Sequence, residues 1–132
     1  MVEVCKIEEG PFSSWCRARI ISGDGQCYKV QYENLLDVDR KSVVEEVYSE
    51  AIRPAPPSVK GLDKWIAGDT IEVYDQHSWK IGKIVKVLLS NFFIVKLLES
   101  LRERTCHQSN LRPRLSWKDG KWLHAQQVEC RL

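Results

Sequence analysis

The chain has 132 residues, of which 43% are hydrophobic and 29% charged, and 20 Lys+Arg against 18 Asp+Glu leave a formal charge of +2. Such a composition describes a chain that folds, not a disordered tail, and the near balance of charge speaks against a protein that lives by wrapping nucleic-acid phosphates. No run of about 18 apolar residues is present to span a membrane as a helix, and Glu3, Lys6, Glu8 and Glu9 break the apolar stretch that a secretory leader would need.

Taken in chain order, Val2, Val4 and Ile7 alternate with polar residues and predict a first strand. Cys16, Ala18 and Ile20 predict a second and Tyr28, Val30 and Tyr32 a third, with the turn signal Ser22-Gly23-Asp24-Gly25 between them. A fourth strand is expected over Ser42–Tyr48, followed by a short helical turn before Pro54, since the residue ahead of a proline disfavours helix. Pro54-Ala55-Pro56-Pro57-Ser58 reads as a stiff connector. After the lead-in Trp65-Ile66-Ala67-Gly68-Asp69 the order begins again. Ile71 and Val73 mark one strand, and Ile81, Lys83 and Val85 the inward positions of the next. A turn at Leu89-Ser90-Asn91 leads to Phe93, Val95 and Leu97, then to a fourth strand over Arg102–Cys106 and a second helical turn before Pro113.

The two halves repeat one another. Val2-Glu3-Val4 returns as Ile71-Glu72-Val73, Trp15-Cys16-Arg17-Ala18-Arg19-Ile20 as Trp79-Lys80-Ile81-Gly82-Lys83-Ile84, Tyr28-Lys29-Val30-Gln31-Tyr32 as Phe93-Ile94-Val95-Lys96-Leu97, and Ala51-Ile52-Arg53-Pro54 as Asn110-Leu111-Arg112-Pro113. Blocks matching in the same order mean two homologous modules, 1–56 and 57–125, with a tail at 126–132. Modules this short bury little apolar surface alone. The expectation is therefore an all-β chain in which strongly bent strands close into two small barrels, packed side by side to share an interface. The abrupt start at Met1-Val2 reads as a fragment cut from something longer.

Catalytic motifs are missing: GxSxG, GxxxxGK and HExxH do not occur. Cys106 and His107, as neighbours on a strand, would face opposite ways and make a poor nucleophile–base pair. Cys5, Cys16, Cys27, Cys106 and Cys130 are odd in number and lack CxxC spacing, and His77, His107 and His124 are scattered, so reduced thiols are expected and no metal or other cofactor. No enzyme is indicated.

The aromatic pattern is more informative. VEV, a variable loop, W-x-x-A-x-[IV], Y-x-V-x-Y and a closing [IL]-R-P together resemble the Agenet version of the Tudor fold, within the Royal superfamily, and Arg112-Pro113-Arg114-Leu115-Ser116-Trp117-Lys118-Asp119-Gly120-Lys121-Trp122 is similar to the ending found after paired Agenet modules. The resemblance covers about residues 2–122. It implies a tandem module of a nuclear, plant chromatin protein that binds a methylated lysine on a histone tail, with histone H3 dimethylated at lysine nine as the mark. The chemistry is independent of the resemblance: a methylated ammonium is bulkier and less hydrated, and each aromatic face set around it contributes about 0.5–2 kcal/mol.

In Tudor-like barrels the cage lies at one end, where the loop after the first strand, the start of the second and the end of the third meet. In the first copy those positions hold Phe12, Trp15 and Tyr32, with Glu33 and Asp37 near enough to add charge attraction. In the second they hold Tyr74, His77, Trp79 and Leu97; Leu97 and Leu98 replace Tyr32 and Glu33, so the resemblance implies one main cage in the first module, with Tyr74 and Trp79 in reserve. Plainer roles stand beside these. Trp15 and Trp79 fit a barrel rim or core, Tyr28 and Phe93 the core, Trp65, Trp117 and Trp122 the barrel bottoms or the seam, and His107 and His124 the surface. Two other functions remain open: a nucleic-acid binder using the basic stripe Lys80, Lys83, Lys86 and Lys96, and a protein-interaction domain indifferent to methylation.

Overall fold

The computed structural model of the chain describes residues 1–6, 13–36, 38–57 and 65–124. Five strands form from the first repeat, β1 (Val2–Lys6), β2 (Ser14–Gly23), β3 (Cys27–Leu36), β4 (Ser42–Tyr48) and β5 (Ile52–Pro54), and five from the second, β6 (Thr70–Asp75), β7 (Ser78–Val87), β8 (Phe92–Leu97), β9 (Glu103–His107) and β10 (Leu111–Pro113). A single 3-10 turn precedes the last strand of each set, at Ser49–Ala51 and Gln108–Asn110. No helix among the described residues is long and apolar enough to cross a membrane.

Each set is an all-β, Tudor-like unit built on one long strand. The first half of β2 pairs with β1 and its second half with β3, and a bulge between Ile20 and Ser22 bends it. β7 repeats this with β6 and β8 and carries its bulge at the matching place, between Ile84 and Lys86. A bulge adds one unpaired residue and sharpens the local twist, which is how one strand can serve two ladders at a large angle. The ladders do not close, however. Among the described residues β4 pairs only β3 and β9 only β8, so each expected barrel is an open, strongly bent sheet. The modules instead join edge to edge, because β2 pairs antiparallel with β7, Trp15 opposite Trp79, making one ten-stranded sheet.

Two cores result. Val4, Cys16, Ala18, Val30 and Tyr32 fill the first, and Ile71, Val73, Ile84, Phe93, Val95, Leu97, Cys106 and Leu111 the second, with Trp65 against its side. The phase expected for β7 is corrected here. Gly82 and Ile84 face the core, while Ile81 and Lys83 stand half-buried on the opposite face and Val85 is exposed. Ile81 lines the seam between the modules, so both faces of β7 carry apolar residues and alternation alone does not phase it.

A two-stranded hairpin follows the tenth strand. β11 (Leu115–Lys118) and β12 (Lys121–His124) pair across Asp119-Gly120, whose φ values of 53° and 74° are those of a tight two-residue hairpin turn. Gln76 and His77 make the same kind of turn between β6 and β7, with φ of 48° and 69°.

Gly82 marks the tightest point of the second core. A Cβ there would lie 2.8 Å from Cγ2 of Val73 and 3.2 Å from the backbone oxygen of Lys96. The Gly82→Ala variant should lose about 1–3 kcal/mol, the usual cost of overpacking, seen in urea unfolding as a lower midpoint at unchanged slope.

Candidate functional site

Successive residues of a strand face opposite ways, and this decides the expected cage. Cys16 and Ala18 face the first core together with Tyr32, so Trp15, between Ser14 and Cys16, faces away from it. Trp15 and Tyr32 therefore lie on opposite faces of the sheet and do not surround a common cation. That constellation is corrected. Phe12 and Asp37 lie outside the described residues.

Trp15 and Trp79 meet instead at the seam, and each already holds a cation. The Arg53 guanidinium lies 3.7 Å from the Trp15 ring centroid and 5.0 Å from that of Trp122, and the Arg112 guanidinium lies 4.1 Å from that of Trp79. These arginines come from the closing Ile-Arg-Pro and Leu-Arg-Pro of the two repeats. Arg53 donates from Nε and Nη2 to Oε1 of Glu3, at 3.1 and 2.9 Å, and from Nη1 to the Leu115 carbonyl at 3.0 Å. Arg112 donates from Nε to Oε1 of Glu72 at 2.7 Å, and from Nη1 and Nη2 to Oε2 and Oε1 of Glu3 at 2.7 and 3.0 Å. Arg53 and Glu72 close the ring at 3.8 Å. Glu3 and Glu72 are each 2% exposed and Arg53 is 4% exposed. Burial pushes the Glu72 carboxyl up, against the pull of Arg112 and Arg53, and pushes the Arg53 guanidinium down, against Glu3 and Glu72. Two carboxylates and two guanidiniums balance, and among the described residues no buried side-chain polar atom lacks a partner.

Sequence reasoning missed this quartet. Its signal was present: the same acid sits between the two valine-like residues of both first strands, and the same arginine in both closing strands. A solvated acid is the ordinary reading of Val-Glu-Val; here the second module covers the outward face.

Of the second-module candidates, Tyr74 and Trp79 stand directly opposite in the β6–β7 ladder, ring centroids 5.2 Å apart at 59°. The structure brings these two together, with Arg112 on the tryptophan. His77 does not join them; it is exposed at the tip of its turn. Beside Trp15, a cleft of about 240 Å³ runs along the seam, lined among others by Arg53, Glu72, Ile81, Arg114 and Trp117.

The open end of the first module holds a different arrangement. Lys6, the last residue of β1, places its ammonium 4.3 Å from the Tyr32 ring centroid and 3.5 Å from Oε2 of Glu45 on β4. The Tyr32 hydroxyl donates to the same Glu45 oxygen at 2.9 Å. An aromatic face and a carboxylate thus converge on one ammonium. In the second module the matching positions hold Asp75, Leu97 and Arg104, and the polarity is reversed: Asp75 takes the cations of Arg104 and of Lys80, the latter at 3.0 Å. Lys80 is thereby removed from the basic stripe, and Lys96 stands opposite Glu103 in its ladder.

Cys5, Cys16, Cys27 and Cys106 are not in disulfides. Among the described residues no group of three or more His, Cys, Asp or Glu is placed to hold a metal ion.

Comparison with known proteins agrees with the geometry. The sequence model of the Agenet domain matches residues 1–57. The chain is 33% identical over 125 residues to the protein AGENET DOMAIN (AGD)-CONTAINING P1 of Arabidopsis thaliana, covering 92% of this chain and 24% of that one. It is 34% identical over 78 residues to the Arabidopsis thaliana DUF724 domain-containing protein 3, covering 59% of this chain and 11% of that one. The chain thus spans a quarter or less of the length of these relatives. Among solved structures, the crystal structure of Arabidopsis thaliana AGDP1 AGD34 superposes with a TM-score of 0.87 at 25% identity, over 94% of this chain and 86% of that one. The crystal structure of ADCP1 tandem Agenet domain 3-4 gives 0.81 at 24% identity over 95% and 84%, a likeness of fold.

Two outcomes follow from these sites. Glu3→Gln leaves the buried Arg53 and the partly buried Arg112 facing a single carboxylate, and should cost about 3–5 kcal/mol in chemical unfolding. Burial, then the hydrogen bond to Glu45, raises the Tyr32 phenol well above its ordinary 10.0. A group whose folded value is raised stabilises fully below its unfolded value, and that contribution is lost as pH climbs. Stability should therefore fall above about pH 10 by up to about 1.4 kcal/mol per pH unit from this group, and Tyr32→Phe should remove that part of the slope in unfolding curves taken against pH.

Proposed function

We propose that this chain, a member of the Agenet domain family, is a reader of methylated lysine on the histone H3 tail, with dimethylated lysine nine the mark of first choice, in a nuclear chromatin protein. The observation that carries the reading is the Lys6–Tyr32–Glu45 arrangement, an aromatic face and a carboxylate converging on an ammonium at the end of the first module. That is the chemistry a mono- or dimethylated ammonium needs. The ring attracts the cation and tolerates its methyl groups, and the carboxylate accepts the remaining N–H. In this reading Glu45 replaces Trp15 as a cage determinant, beside Phe12 and Asp37, which the sequence nominates and which lie outside the described residues. Asp39, Glu45 and Glu46 suit a basic tail by steering it electrostatically.

The second module has a different part in this reading. Leu97 offers no ring face, and Asp75 is already committed to Arg104 and Lys80, so the module braces the first and extends the surface along the seam. The family is one of binding modules, and catalysis has no place in the reading.

Calorimetric titration with H3 peptides, unmodified and mono-, di- or trimethylated at lysine nine, beside a short DNA duplex, tests the proposal. Micromolar binding that requires methylation is expected. Phe12→Ala should remove most of it, and Glu45→Gln should weaken it by up to about fivefold, the size of a half-exposed ion pair. Equal binding of all peptides would establish a methyl-independent interaction domain. Binding of the duplex alone, falling steeply with salt, would move the function to Lys83 and Lys86.

A further inference from the structure

Tyr32 is only 1% exposed, and its hydroxyl is held by Glu45. Its ring face is occupied by the Lys6 ammonium, 4.3 Å from the centroid, well inside the roughly 6 Å reach of a cation–π contact. Lys6 belongs to the chain itself. Its neighbours Val4 and Cys16 are core residues and fixed, but the Lys6 side chain is 26% exposed and Glu45 46%, so the ammonium can leave toward solvent without opening the core. No external cation reaches both the Tyr32 ring and Glu45 while Lys6 stays.

We infer that Lys6 is a built-in plug of the first module's cation site, competing for Tyr32 and Glu45 with any ammonium that arrives from outside. The inference rests on the reader function proposed above and adds its regulation. Exchange of one primary ammonium for another gains little, and association itself is costly. A methylated ammonium sheds its water more readily and exchanges at a profit in free energy. The plug thereby sets a threshold that every ammonium must pass, while the preference for a methylated one stays with the ring and the carboxylate. The matching end of the second module is also closed from within, by Arg104 and Lys80 on Asp75, but there two cations share one acid and no aromatic face lies beneath them.

Competition by a plug has a definite signature. It lowers the apparent affinity of every ligand by the same factor, the fraction of molecules in which the site is open. Removing Lys6 should therefore raise the affinity for mono-, di- and trimethylated peptides together and leave their ranking untouched. A plug held by one cation–π contact corresponds to a factor of about 2 to 30.

The test has two arms on the full chain. In the first, nuclear magnetic resonance of the free protein reads the Lys6 ε-methylene protons, assigned by their loss in Lys6→Gln. The Tyr32 ring current should move them upfield, and saturation with the dimethylated peptide should return them to ordinary lysine positions. Ordinary positions in the free protein would overturn the plug whatever the peptides do. In the second, calorimetry compares wild type with Lys6→Gln across the methylated peptides. A common gain of about 2- to 30-fold is expected; no gain, a loss, or a gain that differs between methylation states would overturn the plug in favour of a direct contact with ligand or none. Silence of both proteins toward every peptide would sink the reader function, and the upfield shift would still decide whether Lys6 occupies the ring.

Discussion

Four charged side chains, Glu3, Arg53 and Glu72 removed from water and Arg112 partly so, hold the two modules in register. Desolvating an ion costs several kcal/mol even after relaxation, and the mutual attraction offsets this only when geometry is close and every remaining donor finds an acceptor. Both conditions are met: the hydrogen bonds run at 2.7 to 3.1 Å, and the Arg53 donor left over by Glu3 goes to the Leu115 carbonyl of the terminal hairpin. The hairpin is thus tied to the first module although it follows the second in sequence. An apolar seam of the same volume would be as stable or more so, but it would fix the modules less uniquely. Here each acid is shared across the seam, so a slip of β2 against β7 would strand buried charge.

The two seam tryptophans extend the same economy of contacts. Each covers the guanidinium of its own module, and they meet at Trp15 opposite Trp79, where matching strands run antiparallel at matching residues. Repetition makes the seam nearly self-complementary, as in an isologous dimer interface. An aromatic that opens a strand in both copies is therefore what a shared interface requires. A ligand cage needs it in only one copy.

Much of this was legible in the residues. The repeat, the order of the strands and β4 over Ser42–Tyr48 follow from alternation and turn chemistry, and the helical turns fall where the prolines demanded them. Three features were not legible, each for a physical reason. β7 was phased wrongly because Gly82 offers no side chain to mark the core while Ile81 is apolar on the seam side. The buried role of Glu3 and Glu72 depends on a partner module that alternation within one strand does not register. Finally, Asp119-Gly120 between Trp117-Lys118 and Lys121-Trp122 signals a hairpin, but where that hairpin docks depends on the Leu115 carbonyl meeting Arg53 of the first module, a contact that local pattern does not register. On the site, Trp15 and Tyr32 lie on consecutive, paired strands, and their faces were decidable: with Cys16 and Ala18 assigned inward, Trp15 had to point outward.

The ends of the two modules show what duplication leaves free to change. Lys6 and Glu45 in the first correspond to Asp75 and Arg104 in the second, so the ion pair keeps its place while its polarity reverses. For holding a strand end the sign is immaterial, and each pair satisfies that need. For binding it is decisive. The first arrangement puts an aromatic ring and a carboxylate at the wall and a cation on the end of β1, so what leaves is an ammonium and what can replace it is another. The second puts the carboxylate on the strand end and guanidinium and ammonium around it, over Leu97, which has no quadrupole to attract a cation. A vacancy there would face an acid ringed by its own cations. The seam makes both modules necessary to the fold, and this inversion leaves the first as the one whose end has the chemistry to exchange one ammonium for another.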